Sequence, residues 1–251
     1  MNTIERIAGP SVDAFRSEFF ARERPVILTG LTQHWPAREW TLESMSRRFG
    51  SATVSVASVR DGALVTDTSR GLSEQRMQLG EFLRGLNGYA MTRLEVLPRE
   101  LSSEVLTIPY VASASWQVSK LWISATGTTT AMHFDLSDNF HVVLQGKKRF
   151  TLVARSESHC VYPRGLTSGL PNGAQVDPEH PDLAKFPRWN DAHPVIAELS
   201  AGDALFIPSR CWHHVRTLEA SIAVNTWFAS GTKAIAARAA DLFKRVRGLS
   251  R

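Results

Sequence analysis

Residues 130–149 read TAMHFDLSDNFHVVLQGKKR, and the rest of the chain is organised around this stretch. It contains a His-x-Asp pair, His133 and Asp135. On a β-strand, residues i and i+2 face the same side, so an imidazole and a carboxylate are expected to converge on one point. Two ligands hold a metal poorly. The third candidate lies in GDALFIPSRCWHHV, residues 202–215, where His213 follows a Gly-Asp turn, a short apolar strand and Pro208. His214 is the alternative. Two histidines and one carboxylate form a set that leaves coordination positions open and suits non-haem Fe(II) that activates oxygen.

Strand signals follow one another from about residue 107: KLWISAT, TAMHFD, NFHVVLQ, RFTLVA, VIAEL, ALFIP and SIAVNTWF. Gly127, Gly146 and Gly202-Asp203 mark turns between them. Many short strands with regular turn signals predict a sandwich or barrel. A Pro- and Gly-rich insert at 162–193 interrupts the series, and a loop of that length is a lid, a binding loop or disorder. Upstream, Ser11 is expected to cap a helix over 11–22 that carries Val12, Phe15 and Phe19 at helical spacing. RPVILTG (24–30) reads as a strand, TLESMSRRF (41–49) as a helix stopped by Gly50, and SATVSVASVR as a strand turning at Asp61-Gly62. The chain divides into a mixed α/β region at 1–106, a β core at 107–230 and a basic helix at 231–251. That helix carries Ile235, Ala239, Leu242, Phe243 and Val246 on one stripe, which packs on its own barrel or forms a homodimer contact.

With 251 residues, 43% hydrophobic and 21% charged, the chain has the composition of a globular protein. No apolar run approaches a membrane span, and the N-terminus lacks the features of a secretory signal. Cys160 and Cys211 do not form a disulfide framework. A cytoplasmic protein without a membrane partner is expected. The net charge is +5 and the pI about 9.6. From residue 231 onward six basic residues stand against Asp241, so the remainder is near neutral and the basic pI is weak evidence for nucleic-acid binding. A solvated basic helix face is expected rather than a nucleic-acid partner.

Lys148, Phe150 and Leu152 share a strand face after the expected Gly146 turn. Phe150 and Leu152 favour burial, so Lys148 is expected to point inward and to require an anionic partner; a dicarboxylate ligand would supply one. A solvated hairpin end is the alternative for Lys147, Lys148 and Arg149. In SIAVNTWF, Asn225 and Trp227 share a face. The pattern TxxHxDxxxN, then Gly-x-Lys, then GDxLxIPxxxWHxV, then VNxW, resembles the JmjC/cupin-like family of Fe(II)- and 2-oxoglutarate-dependent oxygenases. Within it, the pattern is similar to the small hydroxylase branch that includes the asparaginyl hydroxylase acting on hypoxia-inducible factor. RPVILTG…HWPAREWT shares the likeness, which covers residues from about 10 to 230.

The resemblance implies a mainly β protein with flanking helices, built on a double-stranded β-helix. It implies catalytic Fe(II) ligands at His133, Asp135 and His213, and O2 as co-reactant. Lys148 would pair with the distal carboxylate of 2-oxoglutarate, and Thr130 would hydrogen-bond to it. Asn139, Asn225 and Tyr110 would line the cosubstrate end, and Trp227 would wall it. Two positions depart from the family pattern. Cys211 precedes Trp212 where relatives often have a second Trp, as an apolar filler or a site of oxidation. His141 stands where relatives often place an aromatic, and tunes or fills the pocket. The implied reaction is hydroxylation of a peptide side chain, amino acid or small molecule. N-methyl demethylation at the same site is an alternative, as are a non-catalytic cupin-type binding protein and a zinc hydrolase. Trp35, Trp116 and the 162–193 insert are candidate substrate contacts.

Overall fold

The computed structural model describes residues 2–246 apart from 58, 61–62, 65, 68–70, 73, 95–96, 166–167 and 169. Eleven strands carry the description: β1 (Arg6–Ala8), β2 (Val26–Thr29), β3 (Thr53–Ala57), β4 (Glu74–Gln78), β5 (Tyr89–Arg93), β6 (Trp116–Ser124), β7 (Thr129–His133), β8 (Asp138–Val153), β9 (Val195–Ser200), β10 (Ala204–Ile207) and β11 (Trp212–Ala229). The two long strands, β8 and β11, run antiparallel over their whole length, from Asp138↔Phe228 to Val153↔Trp212. Each serves two layers. The first half of β8 pairs with β10 and the second half with β9. The end of β11 pairs with β6 and its beginning with β7. This is a double-stranded β-helix, with the layer β10–β8–β11–β6 facing the layer β9–β8–β11–β7. On one flank β5, β3 and β4 extend the first layer; on the other, β2 and β1 do so.

Gly146 is not the hairpin turn the sequence suggested. The chain continues straight through it, and the β8–β11 register shifts on both sides. Its φ is +78°, and a Cβ there would lie 2.2 Å from the Ala220 carbonyl oxygen, so glycine is required by the close approach of β11. The register shift is a bulge, and it reverses side-chain parity. Odd residues before it (Asn139, His141) and even residues after it (Lys148, Phe150) therefore face one interior cavity.

The other face of β8 is covered by helix α1 (Val12–Phe15), which continues as a π-helical turn over Arg16–Phe20. Ser11 caps it as expected, accepting from the Ala14 amide at 3.2 Å. Phe15 sits 5.5 Å from Phe140 and 5.0 Å from Phe206, ring centre to ring centre, so this helix seals the outer face of the β10–β8 layer. Helix α2 (Leu42–Phe49) begins with a reciprocal Thr41/Ser44 capping box. Val59–Arg60 pairs antiparallel with Ala63–Leu64, while the Asp61-Gly62 turn itself lies outside the described residues.

Helix α3 (Gly231–Val246) closes one end. It packs through Ala234 and Ala237 against Ala229 and Trp116, and Lys233 reaches the buried Asp138 at 3.6 Å. Of the expected stripe, Ile235 is 69% exposed and Ala239 is also exposed, so these two positions do not pack on the barrel. The side chains of Leu242, Phe243 and Val246 lie outside the described residues. Among the described residues, no helix is long and apolar enough to cross a membrane.

Candidate metal and cosubstrate site

His133 ends β7 and stands directly opposite His213 near the start of β11, with ring centres 4.2 Å apart. Asp135 lies two residues past the strand end, so strand alternation is not what brings it in. Backbone lashing does. The Arg210 amide donates to the Asp135 carbonyl at 2.8 Å, and the Ser209 hydroxyl donates to the Leu136 carbonyl at 2.9 Å. The Ser209 amide donates to Asp138 Oδ1 at 2.9 Å. These bonds tie the loop before His213 to the loop that carries Asp135.

The ligand atoms of His133, Asp135 and His213 lie within 4.8 Å of one another. One cation bonding each at about 2.0–2.2 Å fits among them. Their other polar atoms are occupied. His133 Nδ1 is 2.9 Å from the Ala131 carbonyl, and His213 Nδ1 is 3.0 Å from the Cys211 carbonyl. A carbonyl accepts only from N–H, so both rings carry their proton on Nδ1 and turn a lone pair at Nε2 towards the shared point. Trp227 Nε1 donates to Asp135 Oδ2 at 2.7 Å. Burial first, then the neighbouring His133, hold His213 well below its ordinary pKa, against the opposing pull of Asp135. It is therefore neutral and ready to ligate at pH 7. His214, on the same strand, does not line the cavity; with Arg216 it faces Glu179 on the far side, as alternation requires. A second carboxylate–histidine group, Asp177, Glu179 and His180, is more exposed, and Glu179 is already held by Arg216.

The cavity encloses about 530 Å³, counting its open mouth. Thr130, Asn139, Lys148, Asn225 and Trp227 all line it with the three ligands. Lys148 is only 4% exposed. Its ammonium donates to the hydroxyls of Ser124 and Thr217, each at 3.1 Å. No carboxylate reaches it among the described residues, and burial pushes its pKa down to about 7. The Oδ1 atoms of Asn139 and Asn225 and Nε2 of His141 are buried without partners. Buried polar atoms are nearly always satisfied. Lys148 Nζ, with no carboxylate partner among the described residues, and a protonated His141 Nε2 are donors that fit an incoming carboxylate, whereas the two asparagine Oδ1 atoms are acceptors that call for a donor. The lysine end of the cavity thus suits 2-oxoglutarate and the His-Asp-His end a metal.

Other expected positions fall elsewhere. Tyr110 is not in the cavity; its hydroxyl donates to the Pro10 carbonyl at 2.8 Å and its ring stacks on Phe15 and Phe140. It sits on the outer face of β8, opposite Asn139. Trp35 is a core residue at 5% exposure, and Trp116 packs under α3; neither lines the cavity. Cys211 is an apolar filler whose thiol burial pushes up to about 12, and an un-ionised thiol resists oxidation. The insert does not stand off as a lid where it meets β7. Its Asn172 carbonyl accepts from the Phe134 amide at 3.0 Å, its Asn172 side-chain amide donates to the Phe134 carbonyl at 2.7 Å, and the Ala174 amide donates to the Met132 carbonyl at 2.8 Å. It adds a strand-like edge to the very segment that carries the ligands. Sequence reading missed Asn172, Ser209, Asp138, Ser124 and Thr217. The last two carried a faint signal: each shares strand parity with a cavity residue, Trp122 and Val215.

A family profile described as a cupin-like domain matches residues 12–234. Over 239 residues the chain is 32% identical to a Xenopus tropicalis protein named lysine-specific demethylase 8, covering 90% of this chain and 52% of that protein. It is 27% identical over 254 residues to the human bifunctional peptidase and (3S)-lysyl hydroxylase JMJD7, covering 85% and 80%. Against the Arabidopsis thaliana lysine-specific demethylase JMJ30 it is 28% identical over 243 residues, covering 90% and 55%. The chain thus spans about half the length of the demethylases it matches. With a profile over most of its length and a His-Asp-His centre inside a double-stranded β-helix, the chain belongs to the JmjC-type, cupin-like family of Fe(II)/2-oxoglutarate oxygenases.

Proposed function

We propose that this chain is an Fe(II)- and 2-oxoglutarate-dependent dioxygenase that hydroxylates a C–H bond of a peptide side chain, an amino acid or another small molecule. One observation carries the reading: Lys148 is a buried ammonium whose partners among the described residues are hydroxyls alone, in the same cavity as His133, Asp135 and His213. A protein that merely binds metal, or a zinc hydrolase, has no use for that lysine. Fe(II) and 2-oxoglutarate, bound together, would activate O2: one oxygen atom would go to the substrate C–H to give C–OH, and the other to 2-oxoglutarate, which would leave as succinate and CO2.

The chain's own part is positioning. His133, Asp135 and His213 would hold the metal through the two Nε2 atoms and the carboxylate. Trp227 keeps Asp135 turned inward. Lys148, flanked by Thr130, Asn139 and Asn225, would anchor the cosubstrate. Phe150, Ile207 and Val215 supply apolar wall that limits water. Demethylation is the second reading, favoured by the relatives named as lysine-specific demethylases; the same site serves it when the attacked carbon is an N-methyl.

The test is oxygen-dependent release of succinate from 2-oxoglutarate by Fe(II)-loaded protein, screened over peptides and amino acids. A substrate that gains one oxygen establishes hydroxylation. One that loses a methyl with release of formaldehyde establishes demethylation. Stimulation by no candidate, together with an inability to bind 2-oxoglutarate, would remove the enzymatic reading.

A further inference from the structure

His141 is unexplained by packing. It is 5% exposed, lies edge-on to Phe150 with centres 4.9 Å apart, and lines the same cavity as Lys148. Its Nε2 is buried and has no hydrogen-bond partner among the described residues. As a filler it is a poor choice, since a leucine would occupy the space without burying an unmet polar atom. It is also a poor neighbour for a buried ammonium. Burial and then Lys148 hold its ring well below the ordinary histidine range, and Asn225, paired with it across the strands, opposes this only in part.

The surroundings say what the ring is for. Lys148 on β8 and Asn225 and His213 on β11 are the polar groups whose influence reaches it, and none of them is an anion. A neutral imidazole with its proton on Nε2 is a hydrogen-bond donor. Beside an ammonium that meets no carboxylate among the described residues, such a donor suits an incoming carboxylate, which accepts from both at once. We infer that His141 is a cosubstrate-binding residue whose Nε2–H, together with Lys148, holds the distal carboxylate of 2-oxoglutarate. The inference rests on the oxygenase reading and goes beyond it, since Lys148 alone would satisfy that reading.

Anaerobic titration of the Fe(II)-loaded full chain with 2-oxoglutarate, and in parallel with 2-oxopentanoate, tests it. The second acid keeps the chelating end and lacks the distal carboxylate. In His141→Leu, 2-oxoglutarate is expected to bind about ten-fold more weakly, the effect of one lost charge-assisted bond, while 2-oxopentanoate binds as before. Without cosubstrate, the variant is expected to melt at the same temperature as the wild type or higher. His141→Gln, which keeps a donor, is expected to recover most of the affinity. Equal affinity for 2-oxoglutarate in wild type and His141→Leu would overturn the assignment. So would an equal loss for both acids, which marks a merely structural residue. Failure of the wild type itself to bind 2-oxoglutarate would overturn the oxygenase reading, and this inference with it.

Discussion

The two ends of the cavity are finished to different degrees. At the metal end every non-ligating polar atom has a partner: both Nδ1 atoms meet backbone carbonyls and Asp135 is held by Trp227. At the other end, among the described residues, Asn139, His141 and Asn225 each carry an unpaired buried atom, and Lys148 meets hydroxyls but no carboxylate. The first arrangement is preorganised to receive a cation. The second buries a cation that an entering anion would compensate. The contrast teaches that stability and ligand binding should respond in opposite senses at one end and together at the other.

The largest effect is expected from the ligands. His213→Ala removes one of three donors and should weaken Fe(II) binding by at least about 100-fold, read by metal titration, with the fold retained by circular dichroism. Retained Fe(II) affinity would show that the metal sits elsewhere.

Lys148→Met should break the contrast at the other end. It is expected to weaken 2-oxoglutarate binding severely and yet stabilise the ligand-free protein by about 1–3 kcal/mol, because an uncompensated buried charge is removed. The pH dependence gives the sign. The folded pKa of Lys148 is about 7 against an ordinary 10.5, so between those values the unfolded chain binds the extra proton. Its contribution to stability therefore grows as pH rises from about 7 towards 10.5, and denaturant unfolding of Lys148→Met should lack that increment. A variant less stable than wild type would mean the lysine is already paired.

Smaller effects sharpen the account of the metal end. Trp227→Phe deletes the donor to Asp135 and should weaken Fe(II) binding by about ten-fold, the usual range for a group that orients a ligand. Asn172→Ala releases the side-chain bond to the Phe134 carbonyl between the two ligands and should cost a few-fold in the same titration. An unchanged affinity in Asn172→Ala would return the insert to a role remote from the metal.

The grouping of His133, Asp135 and His213 was legible because few residue types ligate iron and their chemistry survives any error in local structure. The three side chains converge as expected although Asp135 lies beyond its strand. Lys148 was legible from the burial preferences of Phe150 and Leu152. Gly146 was misread as a turn, since a positive φ serves a turn and a bulge equally; only the approach of the Ala220 carbonyl decides. Tyr110 was misplaced because which face of β8 it meets depends on where α1 docks. Asn172, Ser124 and Thr217 were hidden for a related reason: their roles arise from pairings across long stretches of chain, and no local pattern encodes that register.

The most direct measurement is the visible spectrum of the anaerobic protein titrated with Fe(II) and then with 2-oxoglutarate. A single site with a preorganised metal end and an anion-seeking far end predicts a new charge-transfer band. That band should be absent in His133→Ala and should require far more 2-oxoglutarate in Lys148→Met. Folded, Fe(II)-loaded protein that gives no band, or a band indifferent to Lys148, would contradict it.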